Sequence, residues 1–199
     1  MDVLHTRFPE AKVIVPRVFA DERGVFLECW NRLSFELAGI SCDFVQDNYS
    51  VSHQIGTLRG LHFQAPPVAQ AKLVRCARGR IMDVIVDIRH GSPTFGRYLA
   101  EEISAMNRKQ IFVPKGFAHG FVTLDQDTEV TYKVDAYYAQ ALDCGIAWDD
   151  EDIGIDWPLP ASGPVLSPKD RNQPRLRDLP RYFSYAQPSD VADAERKLA

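Results

Sequence analysis

Short apolar runs recur along most of the chain, separated by turn residues. The longer runs lie at Val25 to Trp30, Phe44 to Tyr49, Thr57 to Gln64 and Arg80 to Ile88. Further runs lie at 13–15, 98–104, 110–113, 119–124 and 128–136. Runs of this length, rich in β-branched and aromatic residues, are typical of strands in a sandwich or barrel. The pattern predicts about ten strands in an all-β fold. We expect a jelly-roll sandwich, because this arrangement of many short strands leaves few strand edges exposed.

The most regular alternation lies between Arg80 and Ile88. Apolar residues occupy every second position from Met82 to Ile88, whereas Asp83 and Asp87 stand on the other face. We therefore expect a strand with one apolar and one acidic face.

Helical signals are confined to short stretches. Asn31 to Ala38 combines a cap-type first residue, Leu33 and Leu37 one turn apart, and a following glycine, which predicts a short helix. After Tyr138 prolines become frequent and disfavour regular structure, so we expect a C-terminal coil over the core, with anchors at Trp148, Trp157 and Leu166. The chain is expected to form a single domain over 1–185, with a frayed tail over 186–199 that holds at most a short helix at 191–198.

Composition and charge limit the class of protein. A chain of 199 residues with 45% hydrophobic and 25% charged residues can bury a core without disulfides or metals. Its four scattered cysteines indicate reduced thiols, and its first residues lack a signal-peptide pattern, so we expect a cytoplasmic protein. No apolar stretch is long enough to span a membrane, and the net charge of −4 argues against a general nucleic-acid binder.

His62 is the first candidate for chemistry. It stands in an apolar run with Arg59 three residues before it and Lys72 ten residues after it. A histidine alone in such a run is commonly a hydrogen-bonded core residue, and single cations are commonly solvated. A base beside two cations, however, suits chemistry on an anionic substrate.

Other polar residues within the apolar runs have two interpretations each. His119 follows a glycine turn and could cap a loop or face a pocket. Gln46 and Asn48 could be edge polar groups or ligand donors, and Tyr132 and Tyr138 could be core aromatics or a phenol acid and a stacking surface. No His-x-His pair or His-Glu-x-x-His motif is present, so we expect no metal site.

Several motifs together resemble one known family. They are 44–48 (Phe-Val-Gln-Asp-Asn), 58–64 (Leu-Arg-Gly-Leu-His-Phe-Gln), 72–75 (Lys-Leu-Val-Arg), 92–96 (Ser-Pro-Thr-Phe-Gly), 114–121 (Pro-Lys-Gly-Phe-Ala-His-Gly-Phe), 132–133 (Tyr-Lys), 155–158 (Ile-Asp-Trp-Pro) and 166–170 (Leu-Ser-Pro-Lys-Asp). This combination closely resembles the dTDP-4-dehydrorhamnose 3,5-epimerases, from about Val13 to Asp170.

The resemblance implies a cupin-type jelly roll, usually a homodimer, that acts without a metal or other cofactor. Its substrate would be a dTDP-linked 4-keto-6-deoxy sugar, and its product would lead to dTDP-L-rhamnose. By the same resemblance His62 would be the general base and Asp170 would orient it. Lys72 would stabilise the enolate, and Tyr132 would deliver a proton to the opposite face.

The resemblance also implies a set of substrate-binding residues. Besides Lys72 they are Gln46, Asn48, Arg59, His119 and Tyr138 in the pocket, with Arg23, Phe26 and Glu28 at the nucleotide, the last three reaching across a dimer. The chain departs from the family pattern at Ala71, where glycine is common, at Glu151, where proline is frequent, and at Asp143, where glutamate is usual. The shorter side chain of Asp143 changes what it can contact.

Three rival functions follow from the same residues. The nearest is a relative that epimerises carbon 3 alone in another deoxysugar pathway. A metal-dependent cupin oxygenase or isomerase is disfavoured by the missing ligand motif. A non-catalytic nucleotide-sugar binding protein is disfavoured because the base, cation and acid are all present.

Overall fold

The computed structural model describes residues 1–185. Its strands are β1 (Asp2–His5), β2 (Lys12–Val15), β3 (Val18–Asp21), β4 (Gly24–Leu27), β5 (Gln46–Ser52), β6 (Leu58–Gln64), β7 (Lys72–Arg78), β8 (Arg80–Asp87), β9 (Arg89–His90), β10 (Tyr98–Ser104), β11 (Gln110–Val113), β12 (Phe117–Thr123), β13 (Thr128–Val134), β14 (Asp143–Gly145) and β15 (Phe183–Ser184). The α-helices are α1 (Arg32–Leu37) and α2 (Pro168–Arg171), and short 3-10 turns lie at Gln140–Leu142 and Leu176–Asp178.

Two antiparallel sheets form the body of the fold. One has the order β1-β2-β11-β7-β13-β5, and the other has the order β10-β8-β12-β6-β14. Val74, Ile111 and Val130 of the first sheet pack against Ile85 and Phe121 of the second in one buried cluster. The interior of the sandwich is therefore an apolar core shared by the two sheets.

The C-terminal coil covers the outer face of the five-stranded sheet. Trp148, Trp157 and Leu166 all pack against the apolar cluster on this face, which confirms the three predicted anchors. The indole N–H of Trp157 donates to the carbonyl of Trp148 at 2.9 Å, so a polar group buried with the coil keeps a partner.

Helix α1 covers part of the outer face of the six-stranded sheet. Asn31 caps it, because its side chain accepts a hydrogen bond from the backbone N–H of Ser34 at 3.2 Å. Phe35 is buried against this sheet, whereas Leu33 and Leu37 are 66% and 83% exposed. The predicted helix is confirmed, but the two leucines that indicated it do not face the core.

The structure corrects the sequence reading in other places. It has more strands than the ten expected, because short pieces such as β9, β14 and β15 carry too few residues to show a period. The apolar run from Val25 to Trp30 is strand only to Leu27, and it pairs with β3, which the pattern missed. The tail and its helix at 191–198 lie outside the described residues.

A short helix also interrupts the proline-rich coil, where none was expected. Ser167 caps α2 by accepting from the backbone N–H of Asp170 at 3.1 Å, and Pro168 occupies the first turn. Proline fits this position because the first backbone N–H groups of a helix have no intrahelical partner. As a result Asp170 is buried, although an aspartate in a polar coil would ordinarily be exposed.

Candidate active site

Two glycines let the central strands of the five-stranded sheet approach closely. A Cβ on Gly60 would lie 2.6 Å from the Cα of Gly120, and Gly60 has a φ of +132°. Side chains larger than hydrogen are therefore excluded where β6 meets β12. Just beyond this point His62 and His119 are direct partners across the strand pair. The close approach thus brings the backbones of two histidines together.

His62 is held from behind by Asp170. Its Nε2 lies 2.5 Å from Oδ1 of Asp170, whose other oxygen accepts from the hydroxyl of Ser167 at 2.7 Å. Burial alone would raise the pKa of Asp170. The hydrogen bonds from His62, Ser167 and the backbone of Gly60, with the charge of His62, hold that pKa below its usual range. Because an ionised carboxylate can only accept, Nε2 carries a proton, and in the neutral imidazole Nδ1 is the basic nitrogen.

Lys72 and Tyr132 reach the same space from the opposite sheet. Lys72 begins β7, and its ammonium lies 3.5 Å from the carbonyl of His62. Tyr132 lies on the neighbouring strand β13. A cavity of about 390 Å³ separates these two residues from His62 and is lined by Gln46, Asn48, His62, Phe63, Gln64, Gln70, Lys72, Tyr132, Tyr138, Asp143 and Lys169. The predicted base, cation and acid thus share one cavity between the sheets.

Burial controls the protonation of the two groups from the six-stranded sheet. It lowers the pKa of Lys72 to about 8, although the charges of Asp143 and Asp83 oppose that fall. Burial also raises the pKa of Tyr132, with Asp143 adding to the rise and Arg59 opposing it. At neutral pH the lysine is therefore mostly an ammonium and the phenol is neutral, so both can donate a proton or a hydrogen bond.

The rim of the cavity is fixed by amide side chains. Gln64 accepts from the backbone N–H of Ala139 at 2.8 Å and donates to the carbonyls of Val68 and Tyr137, at 2.5 and 3.1 Å. Gln46 accepts from the backbone N–H of Tyr138 at 3.1 Å. Together these bonds hold the turn that presents Tyr138 at the mouth of the cavity.

Asp143 ties that rim to helix α2. It accepts from the hydroxyl of Tyr138 at 3.0 Å and from the ammonium of Lys169 at 2.5 Å. Asp143, whose side chain is shorter than that of the usual glutamate, is therefore hydrogen-bonded within the protein. One of its partners, Lys169, directly precedes Asp170.

The remaining predicted residues fall into two groups. Arg59 lies near the cavity, bonded to the Ser52 hydroxyl at 3.2 Å and to the carbonyl of Val51, and His119 stands beside His62. Arg23 and Phe26 instead line a separate cavity of about 470 Å³ at the β3–β4 hairpin, and Glu28 follows it along the chain, accepting from Asn31. Within the described part of one chain, this second group does not join His62.

Asp83 was missed as a site residue. It is completely buried, and its Oδ2 lies 2.9 Å from Nε2 of His119. Ile81 and Ile85 lie on the same face of β8 as Asp83 and belong to the interior cluster. This face of the strand is therefore turned away from solvent. Those two isoleucines on the acidic face were the signal that this face is buried.

Two further properties concern the described residues alone. Residues 1–185 contain no group of three or more His, Cys, Asp or Glu side chains that could hold a metal ion. Nor does this part of the chain include a helix with the length and apolar character needed to cross a membrane.

Comparison with known proteins identifies the family. The family model described as dTDP-4-dehydrorhamnose 3,5-epimerase matches residues 5–178. The chain belongs to this family. The family resemblance of the motifs is thereby confirmed, and the chain is an isomerase.

Individual relatives agree with the family model. A dTDP-4-dehydrorhamnose 3,5-epimerase from Sinorhizobium fredii is 52% identical over 176 residues, which cover 88% of this chain and 90% of that protein. The crystal structure of a dTDP-6-deoxy-D-glucose-3,5-epimerase from Legionella pneumophila, in complex with dTDP-4-keto-L-rhamnose, matches with a TM-score of 0.89. It is 41% identical, and the match covers 94% of this chain and 99% of that one. The expected cupin-type jelly roll is thereby confirmed.

A relative described as having a narrower activity also matches. It is a 3'-monoepimerase from Streptomyces bikiniensis, solved in complex with dTDP-quinovose. It is 32% identical with a TM-score of 0.84, and the match covers 96% of each chain. The fold is therefore common to enzymes described as single and as double epimerases.

Proposed function

We propose that the chain converts dTDP-4-dehydro-6-deoxy-D-glucose to dTDP-4-dehydro-L-rhamnose by inverting carbons 3 and 5. The observation that carries the proposal is the division of proton-transfer groups across one cavity. His62 with its buried carboxylate lies on one sheet, and Lys72 and Tyr132 lie on the other. Inversion at a carbon requires removal of a proton from one face and delivery to the opposite face, so this arrangement fits the reaction.

In the first step Nδ1 of His62 takes a proton from the carbon next to the ketone. The C–H electrons form the enolate, and the negative charge collects on the 4-oxygen. A positioned histidine base contributes roughly a hundred- to ten-thousand-fold to such a step. Asp170 keeps the proton on Nε2 and stabilises the imidazolium that forms.

Lys72 stabilises the charge on the 4-oxygen. Donors that are aimed at a developing oxyanion in a buried site lower the barrier by about 3 kcal/mol. The pKa of Lys72 of about 8 leaves the ammonium mostly protonated at neutral pH and close to the range in which it can exchange protons.

In the second step Tyr132 returns a proton from the other side. Burial raises the pKa of Tyr132 and keeps the phenol neutral, so its O–H can be transferred to the carbanion carbon of the enolate. His62 then releases its proton to solvent and Tyr132 regains one from solvent, so that the same cycle can run at carbon 5 and complete the double epimerisation.

Substrate binding completes the proposal. Gln46, Asn48 and Tyr138 line the cavity, with Arg59 and His119 beside it. Arg23, Phe26 and Glu28 would meet the nucleotide from a second copy, which makes the functional unit a homodimer. We propose that no metal or other cofactor takes part, and that the product enters dTDP-L-rhamnose synthesis.

A carbon-3-only epimerase is the second candidate. It is favoured by the likeness to a 3'-monoepimerase, which has the same fold. The two candidates differ only in whether carbon 5 also exchanges its proton.

The test is proton exchange in heavy water. We expect the protein, with a chelator present, to introduce deuterium at both carbons of dTDP-4-dehydro-6-deoxy-D-glucose, as located by NMR. Deuterium at carbon 3 alone would support the second candidate. Absence of label under all conditions would rule out an epimerase, and label that depends on added metal would favour a metal-dependent enzyme.

Two variants test the roles of the residues in the same assay. His62→Ala should abolish exchange while the protein stays folded, with a lower thermal unfolding midpoint because buried Asp170 loses a hydrogen-bond partner. Exchange that survives would exclude His62 as the base. Tyr132→Phe should lose net inversion while some exchange persists, and an unchanged product yield would argue against Tyr132 as the acid.

A further inference from the structure

Asp83 is a buried acid that the proposed reaction does not use. It lies in the middle of β8, with no exposed surface, and its Oδ2 meets His119. Its Oδ1 is also buried, and no hydrogen-bond donor among residues 1–185 reaches it. A carboxylate offers about four acceptor sites, so one hydrogen bond leaves most of its capacity unused in a place without solvent. Such a group needs a charged partner nearby.

Two basic side chains of the proposed site, His119 and Lys72, act on Asp83. Burial raises the pKa of Asp83, and the charges of His119 and Lys72 oppose that rise. His119 approaches from β12, which pairs with β8, whereas Lys72 approaches from the facing sheet. Asp83 is thus hydrogen-bonded to a histidine of its own sheet and coupled through charge to a lysine of the facing sheet.

We propose that Asp83 is a positioning residue for the enolate site. One of its oxygens orients His119. The other provides the negative charge that keeps Lys72 protonated while the lysine faces the keto oxygen of the substrate. The proposal deepens the epimerase function and rests on it. It also explains why a carboxylate occupies a position whose neighbours on that face, Ile81 and Ile85, are apolar.

Other charges act on Lys72 and must be kept constant in any test. Asp143 acts on it more strongly than Asp83 does, and Lys169 opposes both. The ionisable groups that line its cavity or lie next to it are His62, Tyr132, Tyr138, Asp143, Lys169, Asp170, His119 and Arg59. A substitution at Asp83 leaves all of these groups in place.

The direct test is titration of Lys72 by NMR in protein labelled with 13C at the lysine Cε, with the signal assigned by its loss in Lys72→Met. In Asp83→Asn we expect the midpoint of Lys72 to move down by about one pH unit, because a nearby negative charge is removed. The asparagine has almost the same shape, and its oxygen can still accept from His119. The proton-exchange rate of this variant should fall at least several-fold more at pH 8.5 than at pH 6.5.

Asp87→Asn is the matched control. Asp87 lies on the same strand and is equally buried, but its partners are Arg89, Ser92 and Thr94. This variant should lose stability and leave the Lys72 midpoint unchanged. An equal shift in both variants, or no shift in Asp83→Asn, would overturn the proposal.

A reciprocal measurement covers the case in which Asp83→Asn does not fold. Coupling between two charged groups is mutual, so Lys72→Met should raise the midpoint at which the carboxyl carbon of Asp83 titrates. An unchanged midpoint would overturn the proposal. Neither NMR titration requires substrate. If the unmodified protein failed to exchange protons with the substrate, that result would count against the proposed function. The coupling between Asp83 and Lys72 would still be decided by the two titrations.

Discussion

The pairing of His62 with Asp170 links protonation to both reactivity and stability. Hydrogen bonds outweigh burial and keep the pKa of Asp170 below its ordinary value. A carboxylate whose pKa is lowered by folding contributes its full stabilisation at pH values above its unfolded-state pKa of about 4. The contribution disappears as the pH falls through the lowered native-state pKa.

Replacing Asp170 should therefore have two measurable effects. We expect Asp170→Asn to lower kcat about 10²- to 10⁴-fold, because the amide can impose the wrong tautomer on His62. In urea unfolding, the stability difference from the unmodified protein should be largest near pH 7 and shrink below about pH 4. A difference that stays constant down to pH 2.5 would contradict an ionised Asp170 in the folded protein.

At the scale of single residues, the sequence indicated some members of the candidate site and not others. The apolar run around His62 and the cations near it indicated a base for an anionic substrate. Asp170 gave no such signal, since it lies 108 residues from His62 along the chain and its position depends on the cap of a short helix. Asp83 was misread because an acidic strand face can be buried when its charges meet partners on another strand.

Among the elements, the contact between β6 and β12 places a tight constraint on sequence. Gly60 has a φ that L side chains rarely adopt, and an added Cβ would collide with backbone atoms of His119 and Gly120. Neither obstacle can be relieved by rotating a side chain.

We therefore expect Gly60→Ala to cost about 2 to 5 kcal/mol in the free energy of unfolding, from backbone strain and overpacking combined. Gly91→Ala is the control, since Gly91 also has a positive φ, of +85°, but an added Cβ would meet nothing within 4 Å. It should cost only about 1 to 2 kcal/mol. Equal losses in denaturant titrations would show that strain alone, and not the close approach, limits this position.

The elements themselves were predictable where they are long and periodic. Strands β6, β8 and β10 lie close to where the alternation put them. The β3–β4 hairpin was only half recognised, because its four-residue strands are exposed and lack a buried face to set a period. Helix α1 was found from its cap, although its leucines face outwards.

At the scale of the whole molecule, the β3–β4 hairpin presents an exposed apolar surface. Three of its apolar side chains are at least half exposed: Phe19 (50%), Val25 (52%) and Phe26 (71%). Contiguous apolar surface of this kind often marks a protein contact. It is consistent with the proposed homodimer, in which the hairpin would deliver Arg23 and Phe26 to a neighbouring cavity.

Substituting the hairpin should separate assembly from folding. We expect Phe26→Ser to raise the dimer dissociation constant at least tenfold in sedimentation equilibrium, with little change in monomer stability, because the side chain is exposed in the single chain. Leu37→Ser on α1 is the control, with an even more exposed leucine, and should leave association unchanged. If the unmodified protein is monomeric at every concentration, the proposed dimer is wrong.

The position of Asp170 in the chain also has a consequence for the timing of synthesis. Every strand of the two main sheets lies before residue 146, whereas the carboxylate behind the base arrives with α2. Since a ribosome adds about 5 to 20 residues each second, a nascent chain carries all of the sandwich strands for a second or more before His62 and Asp170 can pair. Chains that terminate early would thus contain His62 without its hydrogen-bond partner.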